Sequence, residues 1–331
     1  MQAILKDIKN RNFKPIYFLM GEEDYFIDKI SNLIESTVLK EEEKGFNQMV
    51  IYGKDSKIED IVSNAKRYPM MADYQVIIVK EAQDLSRTIE NLTPYALQPQ
   101  PTTILVFNYK YKKLDARKKL SKAIKKSGVL FESKKLYDNQ VASWINTELK
   151  HKGYTINPVA SELLVSFLGN NLSKISNELN KLVLVLPKGT LITPQHIEEN
   201  IGISKDFNVF ELNKAIGKKQ IKKANQIINY FVQNEKDNPL PVVLGQLNAY
   251  FTKLLLLHGL KDKSQNNAAS KLKVHPFFVK EYFEASRNYP MRKVAQIIGY
   301  IHQADMKSKG VGASGFSQKD ILKELLFQIL H

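Results

Sequence analysis

The chain has 331 residues, of which 43% are hydrophobic and 25% are charged, a globular composition that excludes a largely disordered protein. Single hydrophobic cores usually stop growing before this length, so we expect two or three domains. Cysteine is absent, which excludes disulfide bonds and thiolate metal sites. The net charge of +15 favours anionic partners such as nucleic acid or an acidic protein surface. No apolar run approaches about twenty residues and no secretory signal is evident, so we expect a cytoplasmic protein without membrane contact.

Residues 1–137 alternate short apolar runs with amphipathic stretches, a pattern that indicates a parallel α/β sheet. The predicted strands are residues 16–20, 49–52, 76–79, 103–107 and 129–131. They are almost continuously apolar, as expected when helices cover both faces of the sheet. Five such strands with intervening helices are typical of nucleotide-binding domains, although a fold alone does not define a function.

Helical periodicity replaces the strand pattern after residue 137. Residues 138–204 predict a small helical domain whose last helix begins at Thr193-Pro194 and runs to about Asn200, before Gly202. Residues 205–331 predict a helical bundle, with a polar link at residues 263–267. Its predicted helices are residues 209–216, 221–232, 241–260, 276–287, 292–307 and 317–330.

A phosphate-binding loop belongs directly after the first strand of such a sheet, and the chain has Gly21 there. The loop needs the pattern G-x-x-x-x-G-K-[ST], in which glycines expose backbone N–H groups, the lysine reaches the phosphates and the hydroxyl holds magnesium. Phe26, Ile27 and Asp28 occupy the second glycine, lysine and hydroxyl positions. The acidic run at residues 22–24 would also repel phosphate. We therefore expect a degenerate phosphate loop.

The aspartate that positions magnesium in an ATPase is also missing, because Lys80 and Glu81 follow the third strand. The loss of every catalytic group together indicates an ATPase-like module that no longer hydrolyses ATP. The six histidines are too scattered for a metal site, and no nucleophile, base and orienting group stand at convincing spacing. We predict no catalytic residue, no metal site and no cofactor. The alternative that the chain is unrelated to nucleotide-binding proteins stays open at this point.

The positive charge is concentrated in one segment, from Lys110 to Lys135. This segment contains eleven Lys or Arg residues and two carboxylates, which gives a local net charge of +9. Such a run is most often a solvated helix that keeps a protein in solution. The alternative is a surface that binds nucleic-acid phosphates, with an affinity that falls steeply as salt rises.

Four segments in order, residues 14–27, 68–79, 169–182 and 304–310, resemble the delta subunit of the bacterial DNA polymerase III clamp loader. The first contains the strand, the Gly21-Glu22-Glu23-Asp24 loop and an apolar helix start, and the second precedes the third strand. The third resembles the family's helix in the second domain, and the last its collar signature. The resemblance covers nearly the whole chain.

The resemblance implies an AAA+ fold in residues 1–137 and 138–204, a five-stranded sheet domain and a helical lid, followed by a helical collar in residues 205–331. It implies a subunit that binds and opens the beta sliding clamp without hydrolysing ATP, as a component of a DNA polymerase holoenzyme. Its implied partners are the clamp, the gamma/tau and delta prime subunits through the collar, and primed DNA. Two alternatives stay open: an active AAA+ clamp-loader or initiator ATPase, and a sequence-independent DNA-binding protein.

The resemblance also implies a clamp contact made by two adjacent apolar residues before the third strand, which here are Met70 and Met71. The family often has Leu-Phe at these positions, and methionine is flexible enough to fill the same kind of pocket. From the residues alone a core position is favoured for both methionines. Pro69 before them and Ala72-Asp73 after them suggest an exposed turn, and the resemblance decides for that turn. Tyr68 and Tyr74 flank the pair and are predicted to extend the contact. The predicted DNA-binding residues are Lys112, Lys113, Arg117, Lys118 and Lys119, which would contact phosphates without reading bases.

Overall fold

The computed structural model describes residues 1–311 and 315–331, with all of their side chains except those at positions 138 and 139. Contacts between residues divide the chain into two units, Met1–Leu136 and Tyr137–His331, and each is described by itself. The division into domains 1–137, 138–204 and 205–331 stays a prediction.

The first unit is built on five parallel strands in the order β2-β3-β4-β1-β5. Their bounds are Ile16–Gly21 for β1, Gln48–Tyr52 for β2, Gln75–Lys80 for β3, Thr103–Lys110 for β4 and Val129–Ser133 for β5. All five predicted strands are present. Because the order places β1 between β4 and β5, the carboxyl end of β1 at Gly21 lies beside Lys110 and Ser133.

Six α-helices accompany the sheet, besides three short 3-10 turns: α1 Gln2–Lys9, α2 Asp24–Thr37, α3 Glu41–Asn47, α4 Ile58–Ala65, α5 Thr93–Leu97 and α6 Lys119–Ser127. Successive side chains of a strand point to opposite faces, and the core divides accordingly. Phe18 of β1 packs on the face covered by α4, α5 and α6, whereas its neighbour Tyr17 packs on the face covered by α1 and α2. Burial on both faces explains why these strands are apolar without alternation.

The second unit is helical. Its helices are α7 Asp138–His151, α8 Pro158–Leu168, α9 Leu172–Val185, α10 Pro194–Ile201, α11 Val209–Gly217, α12 Ile221–Gln233, α13 Leu240–Gly259, α14 Gln265–Leu272, α15 Pro276–Asn288, α16 Met291–Ser308 and α17 Gln318–Leu330. The predicted α10 is confirmed, since it begins at Pro194 and ends at Ile201, directly before Gly202, whose φ of 82° is left-handed. The predicted link at residues 263–267 is wrong in part, because α14 begins at Gln265 and buries Ala268, Ala269 and Leu272.

Two further features of this unit were not predicted. Two short parallel strands, β6 Thr155–Ile156 and β7 Leu191–Ile192, pair within the first sixty residues of the unit. In the part of the chain that the structure describes, α13 alone is long and apolar enough to cross a membrane by length and composition. Its buried residues, among them Leu247 and Phe251, belong to the core formed by helices α11 to α17.

Candidate functional site

The loop between α4 and β3, residues 66–74, carries three exposed apolar side chains next to the sheet. Met71 is fully exposed, Met70 is 62% exposed and Tyr68 is 77% exposed. Tyr74 differs, because it is half-buried and its ring packs edge-to-face on Phe13 at 5.4 Å. The structure therefore brings Tyr68, Met70 and Met71 together on a surface, which we name the apolar tip, and places Tyr74 at its base.

Asn47 holds the backbone of the tip. Its Oδ1 accepts a hydrogen bond from the Met70 N–H at 2.6 Å, and its Nδ2 donates to the Met70 carbonyl oxygen at 2.9 Å. Nδ2 also donates to the carbonyl oxygen of Glu43 at 3.1 Å. The side chain is 5% exposed, and a buried amide without these partners would cost about 1–3 kcal/mol. Asn47 was not among the predicted site residues, since only the fold brings it to Met70.

The short helix α3 fixes the position of Asn47, which is its last residue. Glu41, Glu42 and Glu43 occupy the first turn, where negative charge complements the helix dipole, and Lys44 lies in the last turn. The Lys40 N–H donates to Glu43 Oε2 at 2.8 Å, which caps the helix start. Helix, cap and dipole together place the carboxamide under the loop.

Met71 follows this anchored residue with a φ of 54°, in the left-handed region. A side chain with a Cβ pays roughly 1–2 kcal/mol for that conformation. The turn directs Met71 wholly into solvent, which is opposite to what burial of an apolar side chain favours. A strained, exposed apolar residue is typical of a functional contact rather than of folding stability.

Gln75 anchors the base of the loop. Its Nε2 donates to the carbonyl oxygen of Arg67 at 2.6 Å and to Thr103 Oγ1 at 2.7 Å, so the start of β3 is tied to the end of α4 and to β4. The tip is therefore held at Met70 by Asn47 and at its stem by Gln75.

Phe46 is a further exposed apolar side chain, next in sequence to the residue that holds the tip, and it was missed from the sequence. It is 78% exposed and precedes Asn47, the residue bonded to Met70. The following strand β2 is an edge strand, and it exposes Met49, Val50 and Tyr52. The available signal was a single phenylalanine in an otherwise polar segment, residues 41–47. The sequence alone did not connect that segment to residues 68–71.

The predicted phosphate loop is too short to surround a phosphate. Strand β1 ends at Gly21 and α2 begins at Asp24, so Glu22 and Glu23 alone lie between them. Ile27, at the position of the phosphate-binding lysine, is fully buried in the core, and Phe26 is half-buried. The degenerate positions thus belong to a regular helix start.

The backbone N–H groups of this short loop already have acceptors within the protein. The Gly21 N–H donates to the Lys112 carbonyl oxygen at 3.1 Å, and the Glu22 N–H to the Ser133 carbonyl oxygen at 3.2 Å. The Glu23 N–H donates to Ser133 Oγ at 3.2 Å. In phosphate-binding loops these donors face the ligand. Here the end of β5 takes the place that a phosphate would need.

Side chains also fill the region beside the loop. Lys110 Nζ lies 2.9 Å from Asp28 Oδ2 and 3.4 Å from Glu81 Oε1. Burial acts to lower the pKa of the Lys110 amino group, but the hydrogen bond and charge of Asp28 and the charge of Glu81 outweigh it and raise that pKa. Burial raises the pKa of the Glu23 carboxyl. Within residues 1–311 and 315–331 no cluster of three His, Asp or Glu side chains is placed to hold a metal ion.

The five predicted DNA-binding residues are all exposed, but most of them have partners. Lys113 pairs with Glu132 at 3.4 Å, Arg117 with Asp115 at 2.8 Å and Lys118 with Glu90 at 3.4 Å. Lys112 Nζ donates to Ser86 Oγ at 2.9 Å. Exposed pairs of this kind are worth about 0–1 kcal/mol each, so they weaken the attraction for phosphate without removing it.

Helix α6 presents a basic stripe that the sequence prediction included only at its first residue. Lys119, Lys122 and Lys126 lie at helical spacing on the exposed side, opposite the buried Leu120, Ala123 and Ile124. No carboxylate from the described part of the chain pairs with these three lysines. The strongest unpaired positive charge of the segment therefore lies on α6.

Comparison with known proteins identifies the relatives of this chain. The family model for the DNA polymerase III delta subunit matches residues 17–134, and the model for the C-terminal domain of that subunit matches residues 206–328. The chain is 28% identical over 340 residues to the DNA polymerase III subunit delta of Bacillus subtilis (strain 168), covering 99% of this chain and 96% of the relative.

A solved structure, the Bacillus subtilis DNA clamp loader delta protein, is similar over 99% of both chains, with 26% sequence identity and a TM-score of 0.60. That likeness confirms the predicted fold class, an AAA+-type parallel sheet of five strands followed by helical domains. Together the two family models cover most of the chain, from the first strand to the last helix. The chain belongs to the family of DNA polymerase III delta subunits, which are clamp-loader components.

Proposed function

We propose that this delta subunit binds the beta sliding clamp through the apolar tip and opens it for loading onto primed DNA. The observation that carries the proposal is the presentation of Met70 and Met71, which are exposed on a loop whose backbone is fixed by Asn47. Adjacent apolar side chains on a fixed protrusion fit the centre of a protein interface, where a few buried residues supply most of the binding energy. Methionine suits this role because it adapts to irregular pockets.

The proposed subunit does not bind or hydrolyse ATP. The loop N–H groups of Gly21, Glu22 and Glu23 donate to Ser133 and Lys112, and no lysine stands at the phosphate position. A fluorescent ATP analogue titrated onto the purified chain with magnesium should give no saturable signal. Saturable, magnesium-dependent binding would support the alternative of an active AAA+ ATPase.

The helical segment 205–331 is proposed to join the gamma/tau and delta prime subunits. It exposes several large apolar side chains, among them Val242, Leu256, Phe277, Met291 and Phe327. Two of them, Val242 and Leu256, lie on α13, so this helix offers apolar side chains to a neighbouring subunit in addition to those buried in its own core. The assembled complex would act in the cytoplasm, where replication takes place.

Clamp binding tests the proposal directly. The full chain is titrated against the sliding clamp of the same organism by surface plasmon resonance, together with the variant Met70→Ala/Met71→Ala. Because truncation of two central interface residues removes about 3 kcal/mol or more, we expect Kd to rise at least about 100-fold. The exposed pair Met291→Ala/Met306→Ala is the matched control and should leave Kd unchanged. Equal affinity of the tip variant and the wild type would overturn the proposed contact.

The stripe on α6 supports DNA contact as a second activity of the assembled loader. Lys119, Lys122 and Lys126 offer unpaired charge without any base-reading motif, which fits sequence-independent phosphate binding. If the chain were instead a stand-alone DNA-binding protein, it would bind DNA tightly by itself and show no affinity for the clamp.

A further inference from the structure

The backbone of the apolar tip depends on one side chain from elsewhere in the sequence. Within the described residues, the segment from Tyr68 to Asp73 makes backbone hydrogen bonds to Asn47 and to no other group. Both polar groups of Met70 are engaged, since its N–H is donated to Oδ1 and its carbonyl oxygen accepts from Nδ2. In an antiparallel sheet, a residue of the neighbouring strand bonds both the N–H and the carbonyl oxygen of its partner in the same way.

This bond pair lies directly before the strained residue. Met71 has a φ of 54° and a fully exposed side chain, so nothing on its own side chain holds it in place. Fixing the peptide units of Met70 on both sides restricts the backbone that leads into Met71. A loop that is already ordered loses less conformational entropy when it binds, and that saving increases affinity.

We propose that Asn47 is a positioning residue for clamp binding, which acts through Met70 by ordering the tip before contact. This inference rests on the proposed clamp contact. Asn47 is itself buried beneath the loop, so it would not touch the clamp. Its effect would appear as a weaker affinity of the tip, with the tip's own side chains unchanged.

The test uses Asn47→Ala in the full chain, with clamp affinity, thermal stability and hydrogen exchange of the Met70 amide measured together. Removal of both hydrogen bonds to Met70 predicts a Kd about tenfold higher or more, and faster exchange of the Met70 amide. Asn64→Ala is the matched control, because its Nδ2 donates to the Asp60 carbonyl oxygen within the adjacent helix α4. That variant should leave Kd and the exchange at Met70 unchanged. Should the alanine variant fold poorly, Asn47→Ser is used instead. The serine side chain is too short to bond both the N–H and the carbonyl oxygen of Met70.

A double-mutant cycle with Met71→Ala separates positioning from general support of the fold. If Asn47 acts through the tip, its substitution should weaken binding less in the Met71→Ala background than in the wild type. Additive effects, or an unchanged Kd with faster Met70 exchange, would overturn the inference while leaving the clamp contact intact. If Met71→Ala and Met70→Ala/Met71→Ala both bind like the wild type, the proposed contact itself fails, and this inference fails with it.

Discussion

Gly21 lies against Ser133 so closely that a Cβ atom at position 21 would overlap the Ser133 carbonyl oxygen and stand 2.6 Å from its Oγ. The φ of Gly21 is +124°, a conformation that L side chains rarely adopt. The glycine that begins a phosphate loop in an ATPase is therefore required here for the close approach of β1 to β5.

Gly21→Ala should destabilise the protein by about 3 kcal/mol or more, because backbone strain and overlap with backbone atoms add to one another. Denaturant unfolding measures the change. Gly45→Ala is the matched control: it lies in helix α3 with open space around it, and alanine there should be neutral or stabilise by up to about 1 kcal/mol. Similar unfolding free energies for the two variants would contradict the close approach.

Glu23→Gln should stabilise the protein at neutral pH. Burial raises the pKa of the Glu23 carboxyl, so just above the ordinary glutamate pKa of about 4.3 the folded state binds more protons than the unfolded state. The unfolding free energy of the wild type therefore falls as pH rises through that window, and glutamine removes this decrease. The increase in unfolding free energy of Glu23→Gln over the wild type should be present at pH 7.5 and shrink towards pH 4.

Urea unfolding of the two proteins at pH 7.5 and pH 4 measures the difference. Glu22→Gln, the exposed neighbour, serves as the control and should change the unfolding free energy by less than about 0.5 kcal/mol at either pH. A Glu23→Gln protein that is less stable than the wild type at pH 7.5 would show that the carboxylate is needed in its charged form.

Phe46→Ala should weaken clamp binding about tenfold without loss of stability, because the ring is exposed in the free chain and lies next to the residue that holds Met70. Calorimetric titration against the clamp gives Kd, and thermal unfolding gives stability. Phe277→Ala, another exposed phenylalanine, is the control in the helical unit and should bind the clamp as the wild type does. An unchanged Kd for Phe46→Ala would limit the interface to the loop.

The three lysines of α6 should dominate the salt dependence of DNA binding. The plot of log binding constant against log salt concentration has a negative slope. In the assembled loader, Lys119→Gln/Lys122→Gln/Lys126→Gln is expected to make that slope shallower, by about one for each phosphate that is no longer neutralised. Fluorescence anisotropy with primed DNA at several salt concentrations measures that slope. The triple variant Lys112→Gln/Lys113→Gln/Lys118→Gln should have a smaller effect, since those lysines already have partners. A larger effect of the second variant would place the DNA-binding surface outside α6.

The sheet was predictable because its strands are buried on both faces and therefore read as separate apolar runs. The exposed turn at Met70 and Met71 was predicted only with the help of the family resemblance, because the residues alone favour a core position even though Pro69 and Asp73 border the pair. Helix α14 was not, because its first turn, Gln265-Asn266-Asn267, is polar and its buried residues come later. Strands β6 and β7 have two residues each, too few for any periodicity.

The anchoring of the tip could not be predicted for a different reason. Asn47 and Met70 are separated by 23 positions, and an asparagine that ends a short acidic helix is usually a solvent-exposed residue. Only the parallel pairing of β2 and β3 brings the end of α3 beside the loop that precedes β3. Sequence patterns describe elements, whereas this site arises from how two elements are placed.

The Asp28–Lys110–Glu81 ion pairs have a consequence for regulation. A switch driven by nucleotide changes state because its ligand arrives and leaves, and the interactions of the ligand appear and vanish with it. In this chain the region beside the loop is held instead by side chains that are covalently part of the protein. The arrangement at that edge of the sheet therefore does not depend on a ligand, and under the proposed function the timing of clamp opening would come from other subunits of the loader.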